Sequence, residues 1–221
     1  MKKKILLILS LFTVSFAFAQ QKTTFGIKAG LSSSEINGNA IKSLNNLLDY
    51  TAGMVTSKGR TGFFAGVNAN IPMGSGLSIE PGIYYTQKGY ELNGALNIKG
   101  LEFLGVNAKA QLQSQYIDVP LMLKYSMGGL QVFAGPQVSY LTKADLKTTA
   151  GLFGVDLLNK TLDATSQFNR WDAALAGGIG YSFNNGMSLS ASYDYGLMKI
   201  DAKSNIDSYN RGFKLGLGIN F

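Results

Sequence analysis

Phe213-Lys214-Leu215-Gly216-Leu217-Gly218-Ile219-Asn220-Phe221 ends the chain, and it alternates without a break. Phe213, Leu215, Leu217, Ile219 and Phe221 fall on one face of an extended chain. Gly212, Lys214, Gly216, Gly218 and Asn220 fall on the other. Successive side chains of a strand point to opposite faces, so this period of two predicts a strand with one apolar and one polar face. The pattern recurs upstream. Phe63, Ala65, Val67, Ala69 and Ile71 oppose Gly62, Phe64, Gly66, Asn68 and Asn70. Ile117, Val119, Leu121, Leu123 and Tyr125 oppose Tyr116, Asp118, Pro120, Met122 and Lys124. Leu189, Ala191, Tyr193, Tyr195 and Leu197 oppose Ser188, Ser190, Ser192, Asp194 and Gly196.

Working outward, eight such segments are predicted: Thr24–Leu31, Thr61–Ile71, Leu77–Lys88, Tyr116–Ser126, Leu130–Leu141, Arg170–Phe183, Met187–Leu197 and Tyr209–Phe221. Their lengths are close to the ~9–11 residues of a tilted membrane-spanning strand. Pro72–Gly76, Met127–Gly129 and Asn184–Gly186 are tight connections, in which Gly and Asn supply the positive φ of short hairpins. Between them stand stretches of 29, 27, 28 and 11 residues. Compact soluble domains rarely carry several loops beyond about 12–15 residues. Outer-membrane barrels combine short periplasmic turns with long external loops.

Alternation by itself allows two orientations. A lipocalin-like soluble barrel would turn the apolar set inward; a membrane barrel turns it out to lipid. Three features favour the second. The polar face is crowded with Gly26, Gly30, Gly62, Gly66, Gly82, Gly135, Gly178, Gly180, Gly216 and Gly218. On a soluble exterior these would weaken strands without gain, whereas inside a narrow eight-stranded barrel they relieve crowding. Aromatics of the apolar face fall into two bands. Phe25, Tyr125, Tyr181, Phe183 and Phe221 lie near the short turns; Phe63, Tyr85, Tyr140, Trp171, Tyr195 and Phe213 lie near the long loops. Such girdles form where rings meet the membrane interface. Finally, Lys214, Gly216, Ile219 and Phe221 fill a pattern resembling the C-terminal sorting signal that the barrel-assembly machinery reads. The expected fold is therefore all-β: an eight-stranded antiparallel up-and-down transmembrane β-barrel in the outer membrane, with both termini in the periplasm. A closed ring is required because lipid offers no hydrogen-bond partner to an open strand edge.

Residues 1–19 read as a secretory signal peptide. Lys2, Lys3 and Lys4 precede the apolar run Ile5 to Phe18, and Ala17-Phe18-Ala19 supplies the small residues of a cleavage site before Gln20. The apolar run is short for the alternative, a helical membrane anchor. Residues 20–221 are then one barrel domain. Loss of the three lysines leaves 17 basic against 13 acidic residues, too even a balance and too dispersed for a nucleic-acid partner. The chain contains no Cys, which excludes a lipoprotein anchor after the signal and any disulfide in the loops.

Several runs resemble the PorT-like family of outer-membrane β-barrel proteins. They are Phe25-Gly26-Ile27-Lys28-Ala29-Gly30-Leu31, Gly62-Phe63-Phe64-Ala65-Gly66-Val67, Glu80-Pro81-Gly82-Ile83-Tyr84-Tyr85-Thr86-Gln87-Lys88-Gly89, Tyr116-Ile117-Asp118-Val119-Pro120-Leu121, Phe133-Ala134-Gly135-Pro136 and Tyr195-Gly196-Leu197. The resemblance spans nearly the whole mature chain and falls on barrel framework. It implies a tie to a protein-secretion system and transfers no catalytic motif.

Chemistry is limited by what the chain lacks. Without His or Cys there is no Ser-His-Asp or Cys-His catalysis and no His- or Cys-based zinc site. Barrel acyltransferases, deacylases and phospholipases resemble one another in relying on a His, so their mechanism is out of reach; a Ser-Lys or carboxylate-only site is the remaining enzymatic alternative. No catalytic, cofactor-binding or metal-binding residue is assigned, and no cofactor is expected. Asp145, Asp156 and Asp163 are too scattered to suggest calcium. Lys28, Lys124, Arg170 and Lys214 are expected to face inward with Glu80, Asp118, Asp172 and Asp194. Equal numbers of each sign favour paired struts over an ion path. Asp194 with Lys214, and Glu80 with Lys124, are the expected cross-strand pairs.

The long loops carry apolar clusters: Ile41, Leu44, Leu47 and Leu48 at helical spacing; Leu96, Ile98, Leu101, Phe103 and Leu104; Leu152, Val155, Leu157 and Leu158. These pack on each other or extend the strands, or they expose a patch for a partner. The expectation is a non-enzymatic, monomeric outer-membrane barrel, surrounded by outer-membrane lipid, that presents its loops for binding, adhesion or envelope integrity. The rivals are an accessory subunit with a partner in a secretion or envelope complex, and a small-solute channel.

Overall fold

The computed structural model describes residues 22–38, 55–96, 106–152, 155–202 and 207–221. The proposed signal peptide and the Ile41–Leu48 cluster lie outside them, as do Ile98, Leu101, Phe103 and Leu104. Nine strands follow one another: β1 (Thr24–Asn37), β2 (Val55–Gly74), β3 (Leu77–Leu96), β4 (Val106–Met127), β5 (Leu130–Leu152), β6 (Val155–Asp163), β7 (Trp171–Ser182), β8 (Met187–Gly196) and β9 (Tyr209–Asn220). All except β6 join one antiparallel ring, which closes where β9 meets β1. Phe221 and Phe25 complete the seam by exchanging backbone hydrogen bonds of 2.8 and 3.0 Å. The hairpin turns use positive φ at Gly74, Gly76, Gly128, Gly129 and Gly186.

The orientation is that of a membrane barrel. Leu217 is 61% exposed and Ile179 is 58% exposed, whereas Asp118 is 0% exposed and Lys124 is 7% exposed. Apolar side chains thus cover the outside and charges fill the inside, which is stable only when lipid surrounds the wall. The aromatic bands are present on that wall. Tyr140 and Trp171 are register partners with rings 5.0 Å apart, and Phe63 stacks on Tyr85 at 5.6 Å. At the periplasmic end Tyr181 and Phe183 meet at 5.0 Å. Tyr193, also exposed, joins the upper band.

The inward glycines serve two purposes. At Gly216 an added Cβ would come 2.8 Å from the Phe64 ring, the crowding expected of a narrow lumen. At Gly30, Gly66 and Gly135 it would come within 1.9–2.0 Å of the neighbouring strand's carbonyl oxygen. Backbones there approach too closely for any side chain, because a small ring bends its strands sharply. Gly177, on the lipid face, would meet nothing nearer than 3.6 Å. Gly30→Ala should therefore lower refolding yield in detergent severely, and Gly177→Ala should leave it near the parental value. Heat-modifiable migration on gels measures both; equal yields would remove the close approach as a constraint.

The strands run well past the eight predicted segments. β3 and β4 stay paired from the girdle up to Leu96 and Val106, and β5 continues to Leu152. Most of two expected loops is therefore sheet. β6 was not expected as a strand. It pairs with β5 from Asp145↔Asp163 to Leu152↔Val155, above the point where β5 leaves β7 at Tyr140↔Trp171. Among the described residues, β6 has β5 as its one neighbour. A bulge between Gln115 and Tyr116, with Thr142 as the extra residue of β5, marks the passage from wall to extension.

Candidate functional site

Two regions are open to function: the lumen and the sheet above it. In the lower lumen Glu80 of β3 lies between Lys28, at 3.2 Å, and Lys124, with which it also forms an ion pair. Higher up, Asp118 of β4 bridges Lys88 at 3.2 Å and Lys214 at 3.0 Å, and Lys214 reaches on to Asp194 at 2.7 Å. Gln137 donates to Asp194 at 3.3 Å, and Lys88 donates to the Ser139 hydroxyl at 3.4 Å. The charges form hydrogen-bonded networks, which is how buried ions offset their lost hydration.

The two expected pairs, Glu80 with Lys124 and Asp194 with Lys214, are both formed. Each reaches one diagonal of the ladder, since Lys124 is in register with Ser78 and Lys214 with Ser192. Arg170 is a correction. It is exposed at the rim, outside β7, and donates to the carbonyls of Leu141 at 3.2 Å and Thr142 at 3.3 Å. Lys88, at the very end of its predicted segment, is the fourth inward cation. Asp172 faces inward as expected, but its partner at 2.7 Å is the Asn210 amide.

Little space is left. Two cavities of about 50 and about 10 Å³ meet at Lys214 and Asp194. A water needs about 10–15 Å³, so these two cavities have room for a few waters. Toward the outer mouth Tyr116, Leu141 and Ala144 form a buried apolar plug on the β4–β5 side, with Leu112 and Phe168 packed on it. Phe168 belongs to the segment after β6, which stays beside β5 through bonds of Ala164 and Thr165 to Ala144, makes a 3-10 turn at Thr165–Gln167, and bridges to Asp201.

Above this plug, one register row crosses the extension: Tyr90 of β3, Leu112 of β4, Leu146 of β5 and Leu162 of β6. Exposure rises along it, from 8% at Tyr90 to 37% at Leu146 and 47% at Leu162. The row sits on the face that continues from the lumen, because Leu112 also packs on the plug. Leu158 adds another exposed apolar side chain on β6. The row lies beyond the upper aromatic girdle, which marks the edge of the lipid.

The three aspartates singled out for spacing do not converge. Asp145 and Asp163 are register partners, while Asp156 pairs with Gly151 near the hairpin tip. Lys143 binds Asp145 at 2.7 Å, and the Thr165 hydroxyl and N–H hold the Asp163 carboxyl below its ordinary value. Among the described residues no group of three or more Asp or Glu side chains is placed to hold a metal ion.

The solved structures that the chain resembles include outer-membrane barrels. The attachment invasion locus protein Ail of Yersinia pestis, solved with the heparin analogue sucrose octasulfate, is 13% identical with a TM-score of 0.47, covering 91% of this chain and 100% of that one. Neisserial surface protein A is 11% identical with a TM-score of 0.43, covering 91% and 100%. OprG of Pseudomonas aeruginosa is 15% identical with a TM-score of 0.42, covering 91% and 97%. No curated protein matches the sequence significantly. A family model described as outer membrane protein beta-barrel domain matches residues 18–202. The chain belongs to that family, and it is an integral β-barrel protein of the outer membrane.

Proposed function

We propose that the protein is a non-enzymatic surface barrel whose extracellular sheet binds a partner in adhesion or envelope integrity. The supporting observation is the outer end of the row Tyr90–Leu112–Leu146–Leu162, where Leu146 and Leu162 leave apolar side chains exposed on a sheet that extends past the aromatic girdle. Exposed apolar surface in this position marks a binding face. The charge-filled lumen supports the same reading, since a wall braced by paired charges serves as a rigid mount. The lumen acids Glu80, Asp118 and Asp194 are each tied to lysines, and the chain has no His or Cys to serve as base or thiol nucleophile.

The experiment is affinity purification of the tagged full chain from envelopes in mild detergent, beside a Leu146→Glu/Leu162→Glu variant. The parent should capture a partner, and the variant, still folded by gel shift, should lose most of it. Equal capture by both would overturn the role of the row. The PorT-like runs favour a second reading, an accessory subunit of a secretion complex; a stoichiometric partner that survives washing would support it. Planar-bilayer recordings should show no steady conductance. Porin-like conductance would overturn this reading and favour a channel.

A further inference from the structure

A groove of about 210 Å³ lies on the outer wall at the extracellular rim. It is lined by Ser33 and Glu35 of β1, Gly59 of β2, Arg211 and Phe213 of β9, and Tyr193 of β8. Gly59 stands where β2 shifts register against β3, and its missing side chain leaves that flank low. Phe213 and Tyr193 are register partners in the upper aromatic girdle, so their rings mark the top of the lipid. Glu35 and Arg211 lie two residues farther out, at the height of headgroups.

These two charges are direct register partners on neighbouring strands. Opposite side chains at such positions start about 5 Å apart and normally pair. Here they form no ion pair among the described residues. Arg211 instead turns toward β8, stacks 3.5 Å over the Tyr195 ring, and donates through Nη1 to the carbonyls of Gly196 and Asn210. Both Nη1 hydrogens are thereby engaged. The Nε–H and Nη2–H edge is left over, and that edge grips a phosphate at two points. The protein thus fixes a cation and an anion side by side without joining them, above two rings suited to acyl chains.

We propose that this groove binds the headgroup of a phosphoethanolamine lipid from the surrounding bilayer. The phosphate lies on Nε and Nη2 of Arg211, the ammonium on the Glu35 carboxylate, and the chains cross Tyr193 and Phe213. A phosphatidylglycerol offers the same phosphate but no cation for Glu35, so it binds less well. Soluble phosphoethanolamine has both charges and no chains.

Native mass spectrometry of the full folded barrel, titrated with phosphatidylethanolamine or phosphatidylglycerol of matched chains, tests the assignment. The parent should retain one phosphatidylethanolamine about tenfold more tightly than phosphatidylglycerol. Glu35→Gln should abolish that preference while keeping phosphate binding. Arg211→Gln should weaken both lipids, and Arg170→Gln, at the rim but outside the groove, should change neither. Equal affinities in the parent, an intact preference in Glu35→Gln, or displacement by soluble phosphoethanolamine at matched concentration would each overturn it. Gel shift confirms that every variant is folded; should Arg211→Gln fail there, the near-isosteric Glu35→Gln decides.

Discussion

Asp118→Ala is expected to cost the barrel about 3–5 kcal/mol, because it removes the carboxylate that Lys88 and Lys214 share. Asp118 has no exposed surface and holds Lys88 at 3.2 Å and Lys214 at 3.0 Å. The two lysines would not suffer equally. Lys214 keeps Asp194 at 2.7 Å, whereas Lys88 keeps the Ser139 hydroxyl and the face of the Tyr116 ring, 4.6 Å away. Lys88 is therefore the stranded charge. Adding Lys88→Met to Asp118→Ala should restore at least half of the lost stability, since an apolar side chain of similar length needs no counter-ion. Urea titration of the refolded protein in micelles, followed through its single tryptophan, Trp171, reads both numbers. A loss under about 1 kcal/mol for Asp118→Ala would mean that the lumen charges are hydrated and that the plug leaks.

Leu217→Arg should cost about 2–4 kcal/mol, while Met127→Arg should cost about 0–1 kcal/mol. Both positions are highly exposed, at 61% and 63%, so in water neither arginine would be penalised. They differ in depth. Leu217 lies midway along the outer face of β9, with Ala29 and Leu189 as register partners, and Met127 ends β4 at a periplasmic turn. A guanidinium at midwall must stay in hydrocarbon or drag water to itself; at the turn it reaches the headgroups. Refolding into vesicles under a urea series measures the difference. Equal, small costs at both sites would put the wall in water and contradict the membrane barrel.

Inside the membrane almost every structural feature was legible in the chain. Alternation gave all eight ring strands, since lipid on one side and a packed lumen on the other sort side chains at every second residue. Pairs on neighbouring strands, such as Asp194 with Lys214, could be read from position along adjacent segments. Lys214 with Asp118 could not. It joins β9 to β4 across the lumen, at a sequence separation of 96 residues, and closure of the ring alone brings the two together. Arg170 was misread because parity assigns a direction only within a strand, and β7 starts at Trp171.

Above the girdle the signal disappears for a physical reason. Lys109-Ala110-Gln111-Leu112-Gln113-Ser114-Gln115 is strand in the structure, yet its outward positions Lys109, Gln111, Gln113 and Gln115 are polar, because water lies where lipid would be and nothing selects for an apolar outer face. The Glu35–Arg211 groove is equally silent in sequence, as its two charges stand at opposite ends of the barrel domain. The sequence by itself determined the membrane wall, its orientation and the content of its lumen, since each follows from a local period of two. Tertiary structure alone decided which charges meet across the lumen, that β6 extends the sheet past the ring, and which leucines remain uncovered, because those depend on ring closure and on contacts between segments far apart in the chain.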